Sequence, residues 1–287
     1  TKQELNRRSE ILLEGMKHCM LCPRRCGTDR TRYRNGYCRT GHLASLASSQ
    51  LHFGEEPEIS GIRGSGTLFF SHCNLHCQFC QNHDISQTGY GHPASATELA
   101  RKMLKLQKRG AHNLNMVTPS HVTSQILEAL CLAVPNGFNL PLVYNTGGYD
   151  DIDTLRMLDG IFDIYMPDFK TLSPDFAETF LGAPAYPKIA PTALKEMHRQ
   201  TGRLQTDSDG IAVKGLLIRH LVMPGRLEDT RQILTWIADN LSPDTCVNLM
   251  GQYHPAHESQ TYPELAASLS VNEYQQALAL KKEILSS

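Results

Sequence analysis

The sequence of 287 residues lacks any apolar run of about 18 residues, the length that a membrane-spanning helix needs. It also has little net charge, since 28 Lys and Arg against 29 Asp and Glu give −1. Such a balance predicts no general attraction to nucleic acid or to acidic membranes. The first residues, Thr1-Lys2-Gln3-Glu4, are polar and contain no signal-peptide core. We therefore expect a cytoplasmic protein whose partners include neither a membrane nor nucleic acid.

The nine cysteines lack the even spacing that is typical of small secreted disulfide domains. Seven of them fall in two tight groups, and clustered cysteines in a reducing compartment indicate metal. The other two, Cys131 and Cys246, lie in apolar runs, and we expect them to be buried packing residues. The chain also shows no internal repeat and no low-complexity segment.

The first group to consider is Cys73, Cys77 and Cys80, which form the pattern C-x3-C-x2-C. Thiolates suit iron–sulfur clusters, zinc and cuprous ions, and three of them leave one metal position open. An open position is where chemistry can occur. The alternative is a zinc knuckle with a histidine as fourth ligand; the candidates are His72, His76 and His83.

The second group lies near the beginning of the chain and contains Cys19, Cys22, Cys26 and Cys38. Four thiolates can close a structural zinc site or saturate a second iron–sulfur cluster, and the spacing does not choose between these metals. Four free thiols are the third possibility. The intervening basic loop is interpreted as a solvated face, although it could neutralise a thiolate cluster or meet an acidic partner; its members are Arg24, Arg25, Arg30, Arg32, Arg34 and Arg39.

From residue 61 the chain alternates candidate strands with helical patterns. The strands are predicted at 67–71, 113–118, 142–145, 161–166, 216–222 and 246–250. Helices are predicted at 4–17, 96–109, 122–132, 152–158, 187–201, 227–240 and 271–285. Strands separated by helices predict a parallel sheet, and six units are too few for a closed eight-fold barrel. The predicted fold is therefore α/β: an open (β/α)6 partial TIM barrel at 61–287, with an N-terminal cysteine-rich metal-binding extension at 1–60.

The three-thiol loop follows the first of these strands, and an aromatic residue, Phe79, precedes its last cysteine. This pattern resembles the signature of the radical SAM superfamily. The resemblance implies a 4Fe–4S cluster with one iron free to chelate S-adenosylmethionine (SAM). It also implies reductive cleavage of SAM to methionine and a 5′-deoxyadenosyl radical, which removes a hydrogen atom from a substrate. The same superfamily has the partial barrel that the strand pattern predicts.

Polar residues follow the predicted strands at the edge where catalytic sites of β/α barrels lie. Phe79 could stack on the adenine of SAM, whereas Lys170 and Arg219 suit its carboxylate. Asn145, Thr146 and Asp168 suit its ribose hydroxyls or its amino group. Further candidates at these strand ends are Thr118, Ser120, Gln252 and His254.

More closely, the chain resembles the pyruvate formate-lyase activating enzyme branch, and its relatives with an N-terminal four-cysteine segment. Asp168-Phe169-Lys170 matches the D-x-K element of that branch. The second strand departs from it, because residues 118–121 replace a Gly-Gly-Glu-Pro-like motif that receives the amino group of SAM. Thr118 or Ser120 would have to serve instead. The resemblance implies flavodoxin or ferredoxin as reductant.

The substrate stays open in the sequence. It could be a glycyl-radical enzyme, as for an activase, or a small molecule or peptide. The rival from another class is a non-catalytic iron–sulfur or zinc protein, which would not need the charged residues Asp168, Lys170 and Arg219. No side chain stands out as a catalytic group beyond the cluster.

Overall fold

The computed structural model describes residues 1–286 as a mixed sheet packed against helices. In chain order the strands are β1 (Ala44–His52), β2 (Ser65–Phe70), β3 (His92–Ala94), β4 (Leu114–Val117), β5 (Leu142–Thr146), β6 (Ile164–Pro167), β7 (Gln205–Thr206), β8 (Ala212–Leu221) and β9 (Cys246–Met250). The helices are α1 (Lys2–Glu14), α2 (Pro57–Ser60), α3 (His83–Ser86), α4 (Ala96–Lys108), α5 (Thr123–Ala133), α6 (Ile152–Met157), α7 (Pro174–Leu181), α8 (Tyr186–Thr201), α9 (Leu227–Asn240) and α10 (Val271–Ile284). Short 3-10 turns occupy Gly15–His18, Val134–Asn136 and Ser259–Thr261.

Six strands, namely β2, β4, β5, β6, β8 and β9, pair in parallel in that order. The register places Val117 of β4 between Phe69 of β2 and Asn145 of β5, so the carboxyl ends of neighbouring strands lie at one edge. In the described part of the chain β2 and β9 do not pair with each other, and the row is open. The predicted α/β class with a mostly parallel sheet is confirmed, whereas curvature into a partial barrel stays a prediction.

Five of the ten helices in residues 1–286 begin where a polar side chain accepts a hydrogen bond from one of their first amides; these are α1, α4, α6, α7 and α10. Ser95 Oγ accepts the amide of Glu98 at 3.2 Å and caps α4, whose buried residues face the sheet. Ser270 and Glu273 form a reciprocal capping box at the start of α10. The predicted helix 4–17 ends earlier, at Glu14, and continues as a 3-10 turn from Gly15. Such ends are the least reliable part of a prediction from sequence.

Three strands were not predicted, nor was one helix of eight residues, nor were the four-residue helices α2 and α3. β1 pairs antiparallel with β2, and β3 pairs antiparallel with β1. The sequence of β1 is largely small and polar, and pairing with a buried neighbour overrides its weak strand preference. β7 pairs with the beginning of β8, which starts at Ala212 rather than at residue 216. The helix of eight residues is α7. Because β1 lies within residues 1–60, the predicted extension contributes a strand to the main sheet.

The interior of the sheet is layered along the strands. A small apolar cluster, Ile59, Val143, Ile164, Met166, Ala212 and Leu217, lies toward the amino ends. Successive strand residues alternate faces, so Asn145 lies on the same face as Val143 and Arg219 lies on the same face as Leu217. A layer of polar side chains therefore follows the apolar cluster toward the carboxyl ends.

The two isolated cysteines are partly exposed, which corrects the expectation that they are buried. Cys246 packs at the border of the small apolar cluster, and Cys131 lies on the outer half of α5. No helix among residues 1–286 combines the length and the apolar character that crossing a membrane would require.

Candidate active site

The three-thiol loop, residues 73–80, follows the carboxyl end of β2. The amides of His76 and Gln78 donate to the carbonyl oxygens of Leu181 and Phe180, at 3.1 and 2.9 Å. These bonds tie the loop to the end of α7. Leu75 anchors the middle of the loop, since its side chain is only 1% exposed. The loop is therefore held by packing and backbone bonds, independently of its thiols.

The thiols of this loop lie in a poorly solvated environment. Burial raises the pKa of Cys77 to about 12 and raises the pKa of Cys73 still further, with neighbouring thiols adding to the effect. The amide of Leu75 donates to Cys73 Sγ at 3.3 Å, the kind of bond that stabilises a thiolate. Soft metals bind thiolates and displace their protons, so these side chains fit an iron–sulfur cluster.

No group of three or more His, Cys, Asp or Glu side chains in residues 1–286 is close enough to hold a single metal ion. A 4Fe–4S cluster takes its thiolates on separate iron atoms, which sets them farther apart than the ligands of one ion. Cys73, Cys77 and Cys80 are near enough for the charge of each to influence its neighbours. Three thiols in one short loop are therefore a donor set that suits a cluster.

A cavity of about 230 Å³ opens beside this loop. It brings together two of the thiols with five of the predicted SAM-binding residues; these are Cys77, Cys80, Phe79, Asp168, Lys170, Arg219 and Gln252. Phe79 is mostly buried, with its ring centroid 6.0 Å from that of Phe176 and 6.4 Å from that of Tyr253. The strand ends thus assemble the charged part of the site that the sequence predicted.

Asp168 lies between two cations in this cavity. Lys170 Nζ donates to Asp168 Oδ2 at 2.8 Å, and Arg219 Nε donates to Asp168 Oδ1 at 2.9 Å. Burial by itself would raise the pKa of Asp168, but Arg219 and Lys170 hold it at about 2. Burial likewise opposes the charge of Lys170, yet Asp168 raises the pKa of Lys170 above its usual value. The three groups are therefore all charged at neutral pH.

Two glutamates that the sequence analysis missed complete this network. Arg219 Nη1 donates to Glu55 Oε2 at 3.2 Å, and Arg219 Nε lies 4.0 Å from Glu56 Oε1. Glu55 also accepts from Asn115 at 3.2 Å and from Asn145 at 3.4 Å. Burial raises the pKa of Glu55 despite the nearby charge of Arg219. The sequence contained a possible indication of these two residues, because residues 54–57 read Gly-Glu-Glu-Pro. No strand was predicted next to them, so nothing in the sequence analysis placed them near the site.

Asn145 supports the charged network from within the sheet, since its Oδ1 accepts from Arg219 Nη2 at 2.8 Å. Asn145 does not line the cavity itself, and neither do Thr118 and His254. Thr118 has a positive φ of 60° at the end of β4, and His254 Nδ1 lies 3.4 Å from Gln81 Nε2. Gln81 also donates to the carbonyl oxygen of Gln252 at 3.2 Å, which joins the thiol loop to the segment after β9. The roles of Thr118 and His254 toward SAM stay predictions.

Ser120 and Thr146 take part in a separate buried group. Ser120 Oγ lies 3.0 Å from Thr146 Oγ1, which donates to Asp150 Oδ2 at 2.6 Å. Tyr144 donates to the other carboxylate oxygen of Asp150 at 2.9 Å. Burial raises the pKa of Asp150, and these hydroxyls oppose that rise. The structure thus places these two hydroxyls in an internal network, and they do not line the cavity.

The four N-terminal cysteines also come near one another. Cys19, Cys22 and Cys38 are each 7% exposed, and Cys26 is exposed. Burial raises the pKa of Cys22 to about 12, and the other three thiols contribute. The amide of Tyr37 donates to Cys26 Sγ at 3.4 Å. Among residues 1–286 no three of these thiols surround a single-ion position, so their capacity to hold zinc or a second cluster stays a prediction.

The basic loop is only in part the solvated face that was expected. Arg30 is 1% exposed, and its Nη1 donates to Cys19 Sγ at 3.7 Å and to the carbonyl oxygen of His121 at 2.7 Å. Arg24 reaches the three-thiol loop, since its Nε donates to the carbonyl oxygen of Asn74 at 2.8 Å. Tyr37 stacks on His76, with ring centroids 4.2 Å apart. The four-cysteine segment therefore packs directly against the three-thiol loop.

Comparison with known proteins finds an iron–sulfur domain similar to part of this chain. Residues 60–135 match a family model described as a 4Fe-4S single cluster domain. An uncharacterized protein of Methanocaldococcus jannaschii is 31% identical over 287 residues, covering 97% of this chain and 78% of its own length.

Solved structures similar to this chain are described as radical SAM or AdoMet-binding proteins. The methyltransferase TsrM of Kitasatospora setae is 11% identical with a TM-score of 0.48, over 65% of this chain and 34% of its own. SuiB of Streptococcus suis, bound to its precursor peptide SuiA, is 14% identical with a TM-score of 0.48, over 74% of this chain and 45% of its own. The AdoMet complex of anSMEcpe is 13% identical with a TM-score of 0.49, over 74% and 57%. This chain thus spans between about a third and somewhat over half of these solved chains, and likeness at this level carries no conclusion about activity.

Proposed function

The chain belongs to the family of the uncharacterized Methanocaldococcus jannaschii protein, and from this premise and its three-thiol loop we propose that it is a radical SAM enzyme. The match of residues 60–135 to a 4Fe-4S single cluster domain supports a radical SAM-like enzyme, because the three thiols lie within that range. The observation that carries the proposal is the cavity where Cys77 and Cys80 meet the charged group Asp168, Lys170 and Arg219.

Cys73, Cys77 and Cys80 would hold three irons of a 4Fe–4S cluster. When bound, such a cluster supplies the electron that cleaves SAM to methionine and a 5′-deoxyadenosyl radical. The chain itself contributes position and a partly dry cavity. Phe79 lines that cavity and packs against Phe176 and Tyr253, which gives the cavity one apolar wall.

The charges in the cavity suit the methionyl end of SAM, which carries an amino group and a carboxylate. Asp168 has the negative charge to accept the amino group, and Lys170 has the ammonium to bind the carboxylate. Arg219 keeps Asp168 ionised and in place, and is in turn held by Glu55. Because all these charges already lie in a fixed network, little reorganisation is needed when a zwitterion binds.

Anaerobic reconstitution with iron and sulfide, followed by dithionite and SAM, tests the proposal. We expect one 5′-deoxyadenosine for each methionine formed, and no product from the variant Cys77→Ala. Cys246→Ala is the matched control, since Cys246 lies outside the cavity. If the reconstituted chain binds iron but forms no 5′-deoxyadenosine, the proposed activity is wrong.

The substrate of the radical belongs to the same proposal. A small molecule or a peptide is the first form of the hypothesis, and an activase acting on a glycyl-radical enzyme is the second. Labelling SAM with deuterium at the 5′ position does not by itself distinguish a small-molecule or peptide substrate from a glycyl-radical enzyme. Electron paramagnetic resonance of a candidate glycyl-radical protein, recorded after incubation with this enzyme, distinguishes them, because an activase would leave a stable radical on the partner.

We further propose a second metal site at Cys19, Cys22, Cys26 and Cys38, holding zinc or a second iron–sulfur cluster. The supporting observations are that Cys19, Cys26 and Cys38 all contribute to the raised pKa of Cys22, and that Cys19 and Cys26 accept hydrogen bonds from N–H groups. In the described structure no three of these thiols surround a single-ion position, so zinc would have to draw them together, whereas a cluster takes thiolates that lie farther apart. A variant with Ala at 73, 77 and 80 retains only this site. Elemental analysis of that variant should then find either about one zinc or several irons for each chain.

A further inference from the structure

A small recess with two arginines lies on another side of the three-thiol loop. Its volume is about 120 Å³, and its wall includes Arg34, Arg39, His72, Gly89 and Gly91. The recess is formed where the four-cysteine segment, the beginning of β1 and the end of β2 meet the loop before β3. No aspartate or glutamate lines it.

Arg34 and Arg39 have no acidic partner, in contrast to Arg25 and Arg32. Arg24 and Arg30 also lack one, but their side chains donate to backbone carbonyl oxygens, which those of Arg34 and Arg39 do not do among the described residues. Arg25 pairs with Asp151 at 2.8 Å, and Arg32 lies 3.6 Å from Asp29. Among the residues that the structure describes, no carboxylate lies within ion-pair distance of Arg34 or of Arg39. Their guanidinium groups therefore present uncompensated positive charge to solvent.

The wall of the recess is fixed by close backbone contacts. His72 has a positive φ of 68°, and its amide donates to the carbonyl oxygen of Ile85 at 2.9 Å. Gly89 approaches the His72 ring so closely that an added Cβ would lie 2.3 Å from Cε1. Ser71 Oγ donates to the carbonyl oxygen of Tyr90 at 2.6 Å. The recess is thus built in advance, and binding there needs little ordering of the backbone.

The recess lies next to the three-thiol loop but is separate from the SAM cavity. Cys77 and Cys80 line the SAM cavity, whereas the recess is lined by His72, the residue adjacent to Cys73. The two depressions share no lining residue. A donor at the recess would therefore lie beside the residue that precedes a proposed cluster ligand, at a surface separate from the lining of the SAM cavity.

We propose that this recess is the docking site of an acidic one-electron carrier protein, whose carboxylates pair with Arg34 and Arg39. The inference rests on the proposed function, which needs an electron from outside the chain. In the transfer the reduced carrier loses one electron and the cluster gains one, and no bond forms or breaks at this surface. Two exposed aromatic residues adjoin the recess in sequence, Tyr33 at 57% and Tyr90 at 69% exposure, and aromatic side chains are enriched at protein interfaces.

A protein fits these observations better than a free anion does. Arg34 and Arg39 are exposed rather than enclosed, so they are available to a large surface. Opposite charges steer two proteins into encounter and accelerate association strongly at low salt. A free phosphate or carboxylate in the recess is the alternative that the experiment must separate.

The experiment follows reduction of the cluster in the full reconstituted chain after anaerobic mixing with flavodoxin hydroquinone, a carrier of the proposed kind. In the double variant R34E/R39E we expect the second-order rate at low salt to fall about tenfold or more. The control K108E/R109E carries the same change of charge at the end of α4, beside the amino end of β4, and should change the rate less than about twofold. Added salt should remove most of the difference, since about 0.15 M salt screens charges beyond about 8 Å.

The inference is overturned if R34E/R39E is reduced at the parental rate, or if the control pair slows reduction equally. It is also overturned if millimolar inorganic phosphate binds the parent at this recess without slowing flavodoxin. A separate measurement tests the proposed function: the parent chain is given SAM with dithionite in place of flavodoxin. If no 5′-deoxyadenosine forms, the proposed function has failed, whatever the result for the docking site. Cluster reduction itself is observed by absorbance, whether or not SAM is cleaved.

Discussion

Replacement of Asp168 by Asn tests how the charged network of the SAM cavity is held together. In the parent chain Asp168 accepts from Lys170 at 2.8 Å and from Arg219 at 2.9 Å. The side chains of Asp168 and Lys170 are each only 18% exposed. After the substitution Arg219 keeps Glu55 as an ion-pair partner, whereas Lys170 keeps none among the described residues.

The expected loss of stability follows from this uncompensated cation. Breaking a buried ion pair by removing one partner costs about 3 to 5 kcal/mol, and partial exposure to the cavity favours the lower figure. For a chain of this size a loss of about 3 kcal/mol lowers the melting temperature by about 6 to 12 °C. The double variant D168N/K170M removes both members of the pair and should recover much of that loss.

Thermal unfolding of the chain before cluster loading measures these changes without any contribution from metal. Asp153→Asn is the matched control: its side chain is 70% exposed and also contacts arginine, so its effect should stay within about 0.5 kcal/mol. If D168N melts with the parent, or if D168N/K170M melts no higher than D168N, the ion-pair explanation is refuted.

Acid titration gives a second measure of the same group. The pKa of Asp168 is about 2 in the folded chain against an ordinary value of 3.8. Because the folded pKa is the lower one, the carboxylate stabilises the chain above about pH 4, and this contribution disappears as the pH falls toward 2. The difference in unfolding free energy between the parent chain and D168N should therefore shrink over that pH range.

Three further outcomes are expected. Cys77→Ala should lower the brown iron–sulfur absorbance and the bound iron after reconstitution by the share of the cluster at residues 73–80, as measured by absorbance and elemental analysis, while leaving the circular dichroism spectrum unchanged. Gly148→Ala should destabilise more than Gly160→Ala in chemical denaturation: both glycines have positive φ, but only at Gly148 would the added Cβ meet the carbonyl oxygen of Asp168, at 2.4 Å. His121 is buried, and burial lowers its pKa to about 3. The parent chain should therefore lose stability as the pH falls from about 6.5 to 3, by up to about 1.4 kcal/mol for each pH unit. His121→Asn should reduce this dependence of stability on pH.

The strand and helix pattern was largely predictable because burial is periodic along the chain. β9 and α9 have the predicted bounds, and most other elements differ from the prediction by one or two residues at their ends. Apolar β-branched runs separated by amphipathic helices leave few alternatives to a parallel sheet. β1 escaped prediction because its preference is weak until β2 offers it a partner.

The candidate site divides in a similar way. The three-thiol loop and the pair Asp168 and Lys170 lie within short segments, so their spacing alone indicated a shared site. Glu55 lies 164 residues from Arg219 in the chain, and no local pattern could connect the two. Ser120 and Thr146 have the right chemistry and end the right strands, but their side chains meet Asp150 instead.

By itself, the sequence determined most of the elements and the thiols available to a metal, since both depend on neighbours within a few residues. The order of the strands, including the pairing of β1 with β2 and β3, was decided by the tertiary structure. The tertiary structure decided which polar side chains share the cavity and which turn into the interior. It also decided that Arg24 and Tyr37 join the two cysteine groups, and that Arg34 and Arg39 stay without acidic partners. These outcomes depend on contacts between distant segments, whose energies arise only when the chain has folded.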